Sequence, residues 1–114
     1  MNLKKKSQIT DEGRVYSTGA NSFLQCGIEG IKTLLTPTQI PSLPKVVQIA
    51  CGWNHSLFLT ANNVVYSCGR GKYGQLGLGI MIDTGSPPKP IPLDERIVQI
   101  ACGSEHSLLL SDKG

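Results

Sequence analysis

The chain has 114 residues, of which 39% are hydrophobic and 13 are glycine, and it carries a formal net charge of +3. That length allows one small domain with a modest core, and no apolar run approaches the ~20 residues of a membrane-spanning helix. Met1–Lys6 lacks the apolar stretch of a secretory signal, so the four cysteines are expected to be reduced thiols in the cytosol or nucleus, not a disulfide framework.

Residues 1–11 form a basic N-terminal stretch or the remnant of a repeat unit. The run Lys4–Lys6 could touch phosphate or anionic lipid, but such runs are most often solvated. Arg14–Gly27 (RVYSTGANSFLQCG) aligns with Val64–Gly77 (VVYSCGRGKYGQLG) at a shift of 50, matching Val15/Val65, Tyr16/Tyr66, Ser17/Ser67, Gly19/Gly69, Gln25/Gln75 and Gly27/Gly77. The proline-rich stretches Thr36–Pro44 and Pro87–Pro92 read as connecting loops.

In the middle of the chain three strands are expected: Val46–Cys51, His55–Thr60 and Val64–Cys68. Each is short, rich in β-branched or aromatic residues and bounded by Gly or Asn. The turn Ala61-Asn62-Asn63 joins the last two as an antiparallel hairpin. A fourth strand is placed at Ile91–Leu93. Alternation puts Val46, Gln48 and Ala50 on one face of the first strand, with Val47, Ile49 and Cys51 on the other. In the second strand Leu57 and Leu59 oppose Phe58. A sheet with apolar residues on both faces must be covered on both.

Val46–Thr60 (VVQIACGWNHSLFLT) then returns as Ile97–Ser111 (IVQIACGSEHSLLLS) at a shift of 51, with ten of fifteen positions identical. The turns Thr10–Gly13, Thr60–Asn63 and Ser111–Gly114 keep the same beat, each ending on Gly or Asn where a tight turn needs positive φ. Residues 12–114 thus hold two units of about fifty residues in permuted phase. With no helical stretch to cover the sheets, stacking sheet on sheet around an axis meets the need, which is the β-propeller solution. There is no Gly-Gly or Trp-Asp pair, which disfavours kelch and WD-type propellers.

The combination Val46–Thr60, Val64–Gly69 and Tyr73–Gly79 (YGQLGLG) resembles the regulator of chromosome condensation repeat family. The resemblance implies an all-β fold of antiparallel four-stranded blades, here about two units of an incomplete ring. Two departures stand out: Cys68 and Thr18 occupy a position where the family usually has Trp, and Leu24-Gln25-Cys26-Gly27 replaces Gly-Gln-Leu-Gly. The resemblance further implies a protein-interaction module that regulates a small GTPase by promoting nucleotide exchange. Non-catalytic scaffolding in a larger signalling, ciliary or ubiquitin-ligase protein is the alternative, and chromatin or nucleic-acid contact the third. Exchange has no covalent step, and Asp83, Asp94, Glu95 and Glu105 show no acid–base pairing, so no enzyme chemistry is expected.

Two motifs invite other chemistry. Cys51-x3-His55 and Cys102-x3-His106 suggest zinc, but equivalent positions of neighbouring blades lie too far apart to share ligands at ~2.0–2.3 Å. Gly69-x-Gly71-x-x-Gly74 fits a dinucleotide loop, but no helix opens on it to receive a pyrophosphate. No metal or cofactor is therefore expected. Gly52, His55, Gly69, Gly74, Gln75, Gly77, Gly103 and His106 are assigned to the architecture of the repeat, with the histidines bonding backbone groups where the strand begins. Trp53, Asn54, Arg70, Lys72 and Glu105 are the candidate partner contacts, Trp53 foremost because exposed aromatics dominate binding hot spots. Two units with open ends would leave apolar sheets bare, so the missing blades are expected from a longer chain or from self-association.

Overall fold

The computed structural model describes residues 6–20, 33–41, 43–69, 77 and 84–114. These residues contain nine strands: β1 (Lys6–Ile9), β2 (Val15–Ala20), β3 (Thr33–Gln39), β4 (Val46–Cys51), β5 (His55–Thr60), β6 (Val65–Gly69), β7 (Thr84–Pro90), β8 (Ile97–Cys102) and β9 (Ser107–Ser111). They form three antiparallel sheets, ordered β1-β2-β3, β4-β5-β6-β7 and β8-β9. The fold is all-β and blade-like, with one complete four-stranded blade between two partial ones. No helix among the described residues is long and apolar enough to cross a membrane.

The two apolar faces of the middle sheet explain the stacking. Phe58, Cys68 and Val46 pack with Val15 and Ile40 of the first sheet. Leu57, Leu59, Val65 and Ile91 pack with Ile97 and Ile100 of the third. Every residue of β5 is buried, so Leu57 and Phe58 each contribute about 1.5–3 kcal/mol of burial energy from opposite sides of one strand.

Backbone bonds then tie blade to blade through the hairpin turns. Gly13 and Asn63 sit at φ 81° and 64°, the left-handed region that a tight turn requires. Each turns its carbonyl to the following blade: Val46 N donates to Gly13 O (3.0 Å) and Ile97 N to Asn63 O (3.3 Å). Within each sheet the paired strands are closed by a further bond, from Ala61 N to Lys45 O (2.9 Å) and from Asp112 N to Arg96 O (3.0 Å).

Three expectations require correction. The fourth strand is Thr84–Pro90, not Ile91–Leu93, and Pro37, Pro87, Pro88 and Pro90 lie inside β3 and β7, not in loops. Both are edge strands, whose outer side needs no N–H donor, so proline is tolerated there. Val46 also leaves the face of Gln48 and Ala50. The register shifts between Val46 and Gln48, and again between Ile97 and Gln99. Such a bulge reverses the alternation, placing Val46 with Ile49 towards the first sheet.

Strand β1 stands in the place of β5 one unit earlier. Ile9 pairs with Val15 and Gln8 with Tyr16, as Leu59 pairs with Val65 and Phe58 with Tyr66. Its sequence KSQI has none of the apolar triplet Leu57-Phe58-Leu59 except at Ile9.

Candidate functional site

Antiparallel order sends the β4–β5 and β8–β9 turns to one rim and the hairpin turns at Asn63 and Gly114 to the other. Gly69 pairs with His55, so the chain beyond β6 leaves from the first rim. That rim gathers Trp53, Asn54, Ser104 and Glu105 on adjacent turns. Arg70, Lys72, Gly74 and Gln75 lie outside the described residues.

The two turns share one construction. Gly52 N donates to His55 O (2.9 Å) and Gly103 N to His106 O (3.0 Å). In each, the imidazole folds back over the glycine and fills the space where a Cβ would stand. A Cβ on Gly52 would also come within 2.7 Å of Gly103 O, so the neighbouring turns touch backbone to backbone. Trp53 N completes the contact by donating to Ser104 O (3.3 Å).

His55 is fully buried, and its Nε2 lies 3.0 Å from Ser107 Oγ on β9. The ring thus reaches a side chain of the following blade, while backbone atoms close the turn itself. Gln48 makes a parallel bridge, its Oε1 accepting from Ile100 N at 3.1 Å. His106, with no described blade beyond it, is exposed. Gly69 is buried at φ 111°, and Gly77 is exposed at φ 67°.

Trp53 projects from this braced turn with 76% of its surface exposed. Asn54 and Glu105 are half-buried beside it in their turns. The rim therefore presents one large amphipathic ring on a turn held by a buried histidine, with a carboxylate-bearing turn next to it. Among the described residues no three His, Cys, Asp or Glu side chains come together as a metal site would need. Binding by surface contact is what such an arrangement can do.

Sequence reasoning missed Ser107, Gln48, Asn63 and Arg96 as connections between blades. Ser56/Ser107 and Gln48/Gln99 are identical across the repeat, and identity at polar strand positions was the available signal. Asn63 Nδ2 donates to Ile97 O (2.9 Å) and Arg96 donates to Asn63 Oδ1 (2.8 Å). Their counterparts are Gly13 and Lys45, so no repeated pattern marked that pair.

The family model for the regulator of chromosome condensation repeat matches residues 12–59 and 62–110, and a second model of this repeat matches residues 46–75. The chain is 41% identical over 109 residues to the Protein RCC2 homolog of Danio rerio, covering 93% of this chain and 22% of that protein. It is 46% identical over 81 residues to the X-linked retinitis pigmentosa GTPase regulator of Canis lupus familiaris, covering 68% of this chain and 8% of that one. Among solved structures, Prp20p of Saccharomyces cerevisiae, described with its binding to Gsp1p and histones, superposes with a TM-score of 0.85 at 25% identity. That match covers 97% of this chain and 30% of Prp20p.

Proposed function

The chain belongs to the regulator of chromosome condensation repeat family, and from that premise we propose that it is a protein-interaction module whose partner is a small GTPase. Its action is to hold the GTPase in a nucleotide-poor form and so speed nucleotide release, in the cytosol or nucleus and without any covalent step. A relative named a GTPase regulator supports the choice of partner. The observation that carries the reading is Trp53, 76% exposed on a turn braced by buried His55. A rigid, exposed indole loses little entropy on binding, and tryptophan is among the residues enriched at interface hot spots. Since the chain spans 22% of the RCC2 homolog, the activity of the whole propeller is part of the same proposal.

The test is release of a fluorescent guanine nucleotide from a panel of small GTPases with the chain added in excess. Acceleration that falls at least tenfold in Trp53→Ala supports the reading. No acceleration by the chain with any GTPase removes exchange as its activity. Binding without acceleration selects the scaffold reading, which the exposed leucines of the third sheet favour because they suit incorporation into a larger assembly.

A further inference from the structure

Trp53 has no apolar companion from its own blade. The other exposed large apolar side chains of the middle blade, Val47, Val64 and Leu93, lie towards the rim of the Asn63 turn. A hydrophobic socket at an interface groups several such side chains. Around the indole the two touching turns offer glycine and polar residues instead: Gly52, Asn54, Gly103, Ser104 and Glu105. An aromatic face in polar surroundings is electron-rich and suits a cation held within about 6 Å of the ring centre, and tryptophan is the best ring for it.

Glu105 supplies the matching charge. Trp53 N donates to Ser104 O at 3.3 Å, and Glu105 is the next residue of that turn. The backbones already meet one residue earlier, since a Cβ on Gly52 would stand 2.7 Å from Gly103 O. Among the described residues Glu105 is the one carboxylate of this rim; Asp11, Glu12, Asp94, Glu95 and Asp112 belong to the opposite one. Both turns are also braced, with His55 Nε2 lying 3.0 Å from Ser107 Oγ beneath them. An aromatic face and a negative charge are therefore carried on two turns bonded to each other and held from below.

We infer that Trp53 and Glu105 together receive an arginine side chain of the protein partner, with the guanidinium laid on the indole and its N–H groups turned to the carboxylate. This rests on the reading of the rim as a protein-interaction surface. Arginine suits the pair better than lysine. Its guanidinium is planar and weakly hydrated, so it can stack by its face while its edge donates to an acid. A lysine ammonium is a compact, strongly hydrated point charge and offers no face to stack.

The test uses the whole 114-residue chain and four short peptides, acetyl-Gly-Ser-Xaa-Ser-Gly-amide, with Xaa as arginine, lysine, citrulline or leucine. The chain has a single tryptophan, so its one indole N–H resonance reports binding by NMR titration. The arginine peptide should shift that resonance at concentrations roughly fivefold lower than citrulline, its uncharged counterpart, and lower than lysine or leucine. Glu105→Gln should remove most of the advantage of arginine over citrulline while leaving the indole resonance of the free chain in place. Equal response to arginine and citrulline, preference for leucine, no response to any peptide, or indifference to Glu105→Gln would each overturn the inference. The titration needs no GTPase, so the two readings fail separately. A rim that selects arginine while no GTPase responds removes exchange alone, and a responding GTPase with a rim indifferent to arginine removes this inference alone.

Discussion

The imidazole of His55 lies directly over Gly52, in the space that any side chain at residue 52 would need. Gly103 O closes the other side, 2.7 Å from where that Cβ would stand. Gly52→Ala must displace either a fully buried ring or the backbone of the next blade, a cost of about 1–3 kcal/mol for overpacking. For Gly103→Ala the nearest atoms all belong to the ring of His106, which is exposed and can swing away. Its cost should stay within about 0.5 kcal/mol. Urea denaturation of the two variants side by side measures the difference, and equal losses would contradict the distinction.

Ser107 reaches across the blade boundary to His55 Nε2 at 3.0 Å. Ser107→Ala removes that partner from a fully buried ring nitrogen, and the expected loss is about 1–3 kcal/mol. Ser107→Thr keeps the hydroxyl and should recover most of it. Thermal melting of both variants checks the claim, and a Ser107→Ala protein as stable as the parent would show that the bond contributes nothing.

The residue at the end of the middle hairpin turn holds two roles at once. Asn63 adopts φ 64° and its side chain bridges Ile97 O and Arg96. Asn63→Gly keeps the turn conformation, as Gly13 does one unit earlier, and loses only the partly exposed side-chain bonds. Asn63→Ala loses the bonds and also forces an alanine into the left-handed region, a further penalty of roughly 1–2 kcal/mol. The prediction is an order of stability by urea midpoint, with Asn63 above Gly and Gly above Ala.

Blade architecture was legible because its signals are repeated. The opposed placement of Leu57 and Phe58 in one strand required a sheet covered on both faces, and the two clusters supply that cover. Bulges were not legible: nothing in VVQIAC or IVQIAC tells Val46 to leave the face of Gln48, since the extra residue reflects twist against a partner strand. The fourth strand was missed because proline argues against strands in general, and only knowledge of the sheet order reveals an edge that tolerates it. At the rim, Gly52 and His55 carried a readable signal because they recur as Gly103 and His106, whereas Ser107 at this rim and Arg96 at the opposite one act through contacts between units that no single unit displays.

Trp53 separates recognition from stability. Its ring is 76% exposed, and its backbone N–H joins the neighbouring turn, donating to Ser104 O at 3.3 Å. Trp53→Ala keeps that N–H, so the melting transition should move by no more than about 0.5 kcal/mol in equivalent stability. If the rim anchors a protein partner, the same substitution should weaken binding by about 2 kcal/mol or more, the threshold for a hot-spot residue. Titration of parent and variant against a GTPase that responds in the release assay gives both affinities, and circular dichroism on the same samples gives both stabilities. A drop in affinity with unchanged melting assigns Trp53 to the interface. Unchanged affinity would move the contact to another part of the rim, and a joint loss would make the indole a structural brace for the turn over His55.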